Sequence, residues 1–389
     1  MWEGHLKIQK KIIIKYGELW LKSEPVKNRF LKILDENIRS QLKANEIKNF
    51  KLERKRDFLL LSCEEKEMEK AKNVLKNVFG ISWFAEALSC ENNKEEIEKI
   101  VLQLSKNIKP NETFAIKANR SDKSLGFTSK EIENEMGAKI QRKVNLSNPD
   151  ITIYLELRKE GAFGFTEKIK GCGGLPYGVS GKVLSLISGG IDSPVASWML
   201  MKRGCVVDFI HFYPTIFTKE KNLEVVKKII GKLREYSPRK LTLYIVNTSE
   251  IQKAIVSECE RKFTCVLCRR MMYRVSEMLA KRIGAKSLVT GENLAQVASQ
   301  TLDNLFVENE AIRIPVFRPL IGMDKEEVIS LAKKIGTYEL SVQVGCCSLA
   351  PQRPSTKANI EKILEEEKKI KNLDMLIANA FEKIEKVVI

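Results

Sequence analysis

The chain has 389 residues, too many for one small domain, and 43% of them are hydrophobic, enough to build real cores. No run of eighteen apolar residues occurs and residues 1–11 are mixed and basic, which excludes a membrane span and a signal peptide and predicts a cytosolic protein. A formal net charge of +17 suits a polyanionic partner, nucleic acid first, and equally a plain lysine-rich surface, and nine cysteines in a cytosolic chain argue against a disulfide framework.

Residues 11–16 (KIIIKY) read as a strand. Residues 25–44 place Phe30, Leu31, Leu34, Ile38 and Leu42 at helical spacing. Two strands follow at 50–54 and 58–61, then a helix over 67–78 and a strand over 81–87. The order β-α-β-β-α-β fits a ferredoxin-like unit, a fold shared by many unrelated functions. Asn92-Asn93 opens a helix over 94–108, and the strand 113–117 runs into a polar loop, 118–123. Ser129 reads as N-cap of a helix over 130–144, with strands at 150–157 and 162–166 after it. Lys139, Arg142 and Lys143 on that helix, with Lys117 and Arg120 nearby, form a candidate electropositive face for phosphates. A solvated charged surface is the alternative. Residues 171–181 (GCGGLPYGVSG) read as a linker.

From residue 182 onward strands and helices alternate. Strands are expected at 183–187, 205–212, 241–246 and 287–290, and helices at 195–201, 219–236, 249–260, 268–283 and 324–335. This alternation implies a parallel, doubly wound sheet with ligands at the C-terminal strand ends. The tail, 357–387, is charged and helical and is expected to pack outside the core.

Ser188-Gly189-Gly190-Ile191-Asp192-Ser193-Pro194 links the first of these strands to its helix. Glycines let backbone approach an anion, and the helix start offers free N–H groups and a positive dipole end. Ser188 and Ser193 add hydroxyls. Asp192 would repel phosphates unless magnesium lay between, so it reads as a metal-facing or capping group. The string is not a Walker A loop, since Gly181-Lys182 is followed by Val183.

SGGxDS resembles the PP-loop of the ATP pyrophosphatases. Ile14-Lys15-Tyr16-Gly17-Glu18-Leu19, Gly173-Gly174-Leu175-Pro176, Cys268-Arg269-Arg270-Met271-Met272, Thr290-Gly291-Glu292, residues 296–302 (QVASQTL), Arg318-Pro319-Leu320 and Met323-Asp324-Lys325 together resemble the tRNA 4-thiouridine synthetases, in order along the chain. That resemblance implies three domains: ferredoxin-like (1–78), THUMP (79–171) and PP-loop (172–389). It implies ATP, with magnesium, held by Leu186, Ile187, Ser188, Gly189, Gly190, Ser193, His211, Phe212, Arg269, Gly291 and Gln300. It implies a tRNA partner, adenylation of O4 of uridine 8, and sulfur replacing AMP, with a second role in thiamin thiazole synthesis attributed to some members. The end at Ile389 leaves no room for the rhodanese domain of many bacterial members, so an archaeal-like form is expected.

Cys265-Val266-Leu267-Cys268 and Cys346-Cys347 are the cysteine pairs. Cys265, Cys268 and Cys347 suit an iron–sulfur cluster with one open iron position, the arrangement of related thiolases. A cysteine persulfide resolved through a disulfide is the rival, and structural zinc the plain alternative. The sulfur donor, sulfide or a persulfide carrier such as a cysteine desulfurase, stays open, as does oligomeric state, a homodimer among the options. Two further functions compete: a ligase adenylating a small molecule, which would not need the basic N-terminal half, and a tRNA-binding protein with a degenerate ATP site, against which the intact SGGIDS argues.

Overall fold

The computed structural model describes residues 8–121, 124–213, 221–342 and 349–389. The chain forms two compact units, Met1–Lys27 with Ile38–Gly174, and Asn28–Asn37 with Leu175–Ile389.

The first unit begins with β1 (Gln9–Tyr16), the two ends of α1 (Glu24–Ala44), whose residues 28–37 are counted with the second unit, β2 (Phe50–Arg54), β3 (Leu59–Cys63), α2 (Met68–Lys76) and β4 (Ile81–Cys90). It continues with α3 (Lys94–Ser105), β5 (Thr113–Arg120), α4 (Ser129–Ala138), β6 (Lys143–Val144), β7 (Ile151–Arg158), β8 (Gly161–Phe165) and β9 (Ile169–Lys170). The predicted face of α1 is real: Leu34, Ile38 and Leu42 are fully buried. All the strands share one sheet, ordered β2-β3-β1-β4-β8-β7-β5-β6, with β9 also on β4. β4 pairs with β1 on one edge and β8 on the other, so the ferredoxin-like half and the half after it are hydrogen-bonded into a single sheet. The glycine stretch is strapped to that sheet, because Gly171 and Gly173 donate to Ser82 and Ile81 carbonyls at 2.9 and 2.8 Å.

Two expectations here need correction. The polar loop at 118–123 is strand up to Arg120, because Lys117 to Arg120 pair in parallel register with Tyr154 to Leu157. The helix at 130–144 stops at Ala138; Thr128, not Ser129, caps it, accepting from Glu131 N at 3.2 Å. Gly137 weakens its last turn. Beyond it, Lys143 and Val144 pair with the Thr113–Phe114 edge instead of continuing the helix.

The second unit comprises β10 (Lys182–Leu186), α5 (Asp192–Lys202), β11 (Val206–Phe212), α6 (Lys221–Arg234), β12 (Thr242–Val246), α7 (Ser249–Glu258) and α8 (Thr264–Ile283). Then come β13 (Leu288–Val289), α9 (Leu302–Glu310), β14 (Val316–Phe317), α10 (Lys325–Lys334), α11 (Tyr338–Ser341), α12 (Ile360–Lys369), α13 (Leu373–Glu382) and β15 (Glu385–Val388). The sheet order is β14-β13-β10-β11-β12-β15, parallel except for β15, which runs antiparallel to β12. Chain order reverses between β10 and β13, so the loops after them diverge and leave a crevice at the C-terminal strand ends.

The tail does not pack outside the core. Ile363, Ile370, Ile377 and Ala380 join Val266, Leu267, Met271 and Leu279 of α8 in one buried cluster. Two of its acidic residues, Glu366 and Glu367, turn inward as well: Glu367 is 7% exposed and accepts from Arg270 Nε at 2.6 Å and from Arg274 Nη2 at 2.5 Å. Among the described residues no helix is long and apolar enough to cross a membrane.

Candidate active site

A cleft of about 290 Å³ opens at the crevice of the second unit. Leu186, Ile187, Ser188, Gly190, Asp192, Ser193, His211, Phe212, Arg269, Gly291 and Gln300 all line it. Segments more than a hundred residues apart thus converge on the turn after β10. Gly189 lies within that turn, buried.

The turn is held in shape by its own hydroxyls. Ser188 N donates to Ser193 Oγ at 2.9 Å, and the two hydroxyls lie 3.0 Å apart. Ser197 Oγ donates to Ser193 O at 2.7 Å and meets Ser185 Oγ at 2.8 Å, tying α5 back to β10. Gly291 is small for a steric reason. A Cβ there would stand 2.6 Å from Ser193 N and 2.8 Å from Asp192 C, so the loop after β13 rests directly on the start of α5.

Asp192 is the first residue of α5, not its cap; Ile191 holds the cap position. Its carboxylate accepts from Lys325 Nζ at 2.7 Å and from Gln296 Nε2 at 3.0 Å. His211 is 8% exposed and its Nδ1 donates to Ile187 O at 2.8 Å. Burial lowers its pKa against that hydrogen bond, which keeps the ring neutral.

On the cleft wall, where Arg269, Tyr273 and Glu292 are lining residues, lies a charged cluster; the resembling segments contain Arg269, Glu292 and Arg318 but not Glu308. Glu292, 3% exposed, accepts from Arg269 Nη1 and Arg318 Nε, from Tyr273 Oη at 2.8 Å and from Thr290 Oγ1 at 2.9 Å. Burial opposes its charge, but Arg269 and Arg318 outweigh burial and hold the carboxyl below the ordinary range. Glu308, fully buried, lies 3.6 Å from Arg269 Nε. Burial pushes its carboxyl up to about 8 despite Arg269, and the negative charge of Glu292 adds to the rise. Glutamates on a helix of mixed polarity ordinarily face water, so only the pairing with arginines on α8 shows where Glu308 goes.

Cys265 and Cys268 sit three residues apart in the first turns of α8, both half-buried. The helix starts at Thr264, so the whole CxxC is helical rather than preceding it. Cys346 and Cys347 lie outside the described residues. Among the described residues no group of three or more His, Cys, Asp or Glu side chains is arranged to hold a metal ion.

The five basic residues of the first unit do not form one face. Lys117 is exposed, whereas Arg120, an odd number of residues along the same strand, points to the other side. Arg120 donates Nη1 to the Leu125 carbonyl at 3.0 Å and to that of Phe127 at 2.5 Å. Lys139 pairs with Glu98 at 3.3 Å, and Arg142 donates to the Ile108 and Gln141 carbonyls. Lys143 is exposed on β6. A separate groove of about 970 Å³ in this unit is rimmed by Lys10, Lys72, Lys99 and Lys106.

Three family models match the chain: a ThiI ferredoxin-like domain over residues 11–85, a THUMP domain over 91–163, and the thiamine biosynthesis protein ThiI over 178–372. A probable tRNA sulfurtransferase of Caldanaerobacter subterraneus is 40% identical over 367 residues, covering 92% of this chain and 95% of the relative. A probable tRNA sulfurtransferase of Methanocaldococcus jannaschii is 38% identical, with 94% and 99% covered. The crystal structure of a 4-thiouridine synthetase–RNA complex with bound ATP aligns with a TM-score of 0.89 at 34% identity, covering 98% of this chain and all of that one. With half of its length under the ThiI model and close relatives along nearly all of it, the chain belongs to the ThiI family.

Proposed function

We propose that this protein is an ATP-dependent tRNA sulfurtransferase that converts uridine 8 to 4-thiouridine. The observation that carries this reading is the cleft, where the SGGIDS turn meets Leu186, Ile187, His211, Phe212, Arg269, Gly291 and Gln300 around one nucleotide-sized space. The names of the relatives and the ATP and RNA of the aligned structure point the same way.

The uridine C4 carbonyl is a poor electrophile because oxide is a poor leaving group. Attack of O4 on the α-phosphorus of ATP breaks the bond to pyrophosphate and makes that oxygen part of an AMP ester. Sulfur then adds at C4 and AMP departs. The residues of the cleft position and neutralise charge in these steps. Ser188, Gly189, Gly190 and Ser193 cradle the departing pyrophosphate at the helix start. The neutral ring of His211, with Leu186, Ile187 and Phe212, forms the apolar end for the base. Asp192 is the carboxylate available to magnesium, in competition with Lys325. The ion would lower the repulsion between that carboxylate and the phosphates.

Cys265 and Cys268 lie on one side of a helix, which suits either a dithiol relay or two ligands of a cluster. An iron–sulfur cluster would take Cys347 as third ligand and supply sulfide at an open iron. A persulfide needs only two of the three thiols. The RNA-binding reading for the first unit rests on exposed Lys117 and Lys143, on the groove lined by four lysines with Glu86 and Glu167, and on the whole chain's net charge of +17.

The test is direct. Incubation with ATP, magnesium, unmodified tRNA and a sulfur donor, sulfide for the cluster route and a persulfide donor with a thiol reductant for the persulfide route, should yield AMP, pyrophosphate and 4-thiouridine in equal amounts; pyrophosphate without thiolated tRNA would point to a small-molecule ligase instead. Cys265→Ser and Cys268→Ser should keep pyrophosphate release and lose thiolation. Iron and sulfide analysis after anaerobic purification separates cluster from persulfide.

A further inference from the structure

We propose that Gln296 is a positioning residue for the nucleotide site: it holds the Asp192 carboxylate by one oxygen and leaves the other to a cation, Lys325 in the free protein and the nucleotide's magnesium in the complex. This inference rests on the nucleotide reading of the cleft.

Gln296 Nε2 donates to Asp192 Oδ2 at 3.0 Å, and Lys325 Nζ lies 2.7 Å from Oδ1. Each oxygen therefore takes one donor, and the two donors come from stretches after different strands, β13 and β14. Gln296 arrives on a tight turn, in which Ala295 N donates to Gln300 O and Gln300 N to Val297 O, both at 2.8 Å. Ala295 has a φ of 61°, in the left-handed region that a residue with a Cβ rarely adopts. The Oε1 of Gln296 is buried and has no hydrogen-bond partner among the described residues. A left-handed alanine and an orphaned acceptor are each unfavourable. What the turn gains beside them is a carboxamide N–H delivered to Asp192 at the start of α5.

The two donors differ in what they can give up. The amide is neutral, so it fixes the rotation of the carboxylate without cancelling its charge. Lys325 is a cation on a flexible stem, its side chain 40% exposed, and can leave. Among the described residues no group of three or more metal-ligating side chains stands ready around Asp192. The donor set therefore fits magnesium that arrives with a nucleotide, whose phosphate oxygens and waters complete the shell, and does not fit a standing metal site. With Gln296 in place, Oδ1 stays directed across the cleft mouth and is open to the ion once Lys325 turns to the phosphates. Without Gln296 the carboxylate is free to rotate and take Lys325 on both oxygens, a stronger competitor for the ion. Magnesium then adds less to nucleotide affinity, while the metal-free affinity changes little.

The experiment is calorimetric titration of the whole chain with α,β-methylene-ATP, once with magnesium and once with EDTA. In the wild type magnesium should raise affinity about tenfold or more, within the usual range of coupling between two sites. Gln296→Met keeps the volume and loses the donor, and Gln296→Ala takes its place should the first not fold. Either variant should cut the magnesium gain to less than about threefold and change the metal-free affinity less than about twofold. Asp192→Asn should lose the gain as well, and adding Gln296→Met to it should change nothing further, because the two side chains act as one unit. A glutamine that merely shapes the turn would lower affinity alike with and without magnesium, in either background, and that result overturns the inference. A full magnesium gain in the Gln296 variants, or no gain in the wild type, also overturns it while leaving the nucleotide reading intact. Failure of the analogue to bind the wild type under either condition overturns the nucleotide reading and this inference with it.

Discussion

Lys325 Nζ lies 2.7 Å from Asp192 Oδ1, across the mouth of the cleft from a residue 133 positions earlier. The carboxylate on the first turn of α5 is thereby held by a cation before any metal arrives. A magnesium–pyrophosphate ligand would draw Asp192 to the ion and free Lys325 for the phosphates. Asp192→Ala should lower AMP and pyrophosphate formation by about 10²–10³-fold with tRNA affinity changed less than about twofold, because the substitution removes charge stabilisation in the cleft alone. Lys325→Met should lower turnover similarly while nucleotide still binds. Near-normal AMP formation in Asp192→Ala would remove that residue from the chemistry.

Gly291→Ala should be far more damaging than Gly231→Ala. At Gly291 the new Cβ meets backbone at 2.6 Å, which must move. At Gly231, on α6, it meets nothing within 4 Å. The Gly291 variant should keep its circular dichroism spectrum and lose at least about tenfold in nucleotide affinity, the cost of a misplaced helix start. Equal affinities in the two variants would contradict the packing of this loop on α5.

Stability should depend on pH through Glu308. Its folded pKa lies above the unfolded value, so whatever it contributes is fully present below about 4.5 and is lost as pH rises through about 8. Glu308→Gln cannot ionise. Its melting temperature, relative to wild type, should therefore rise between pH 5 and pH 8 and level off above. A difference that stays constant across that window would mean the carboxyl is already ionised at neutral pH.

Among the basic residues of the first unit, Lys117 and Arg120 should separate by phenotype. Lys117→Glu should weaken tRNA binding and reduce its salt slope while leaving the melting temperature near wild type, since the side chain is exposed. Arg120→Glu should instead destabilise the protein, because it takes donors from the Leu125 and Phe127 carbonyls. Filter binding at several salt concentrations, beside thermal melts, distinguishes the two.

The legible parts of this protein are those whose physics is local. An apolar run, a glycine turn and a small-residue helix announce β10, the SGGIDS turn and α5 without any distant partner. The spacing of Leu34, Ile38 and Leu42 does the same for α1. What stayed hidden depends on pairings far along the chain. The string at Ile360–Lys369 (IEKILEEEKK) reads as solvated, yet Arg270 and Arg274 draw Glu367 inward while Ile363 packs on α8. The end of α4 depends on an open edge at Thr113–Phe114 that no window around residue 138 contains. Cleft-lining residues such as His211 and Gln300 were readable only through the resemblance, since neither has a local signature.

The antiparallel strand β15 sets an order of events during synthesis. Its partner β12 emerges from the ribosome about 140 residues earlier, and the helices that cover α8 come only just before β15. At roughly 5–20 residues per second, the nascent β12 edge stays without its neighbour for about ten seconds or more. An unpaired strand edge with an uncovered apolar helix nearby is a template for wrong associations. The catalytic unit is therefore the part of this protein that a ribosome-associated chaperone would guard longest, whereas the first unit can close its sheet as soon as residue 170 is clear.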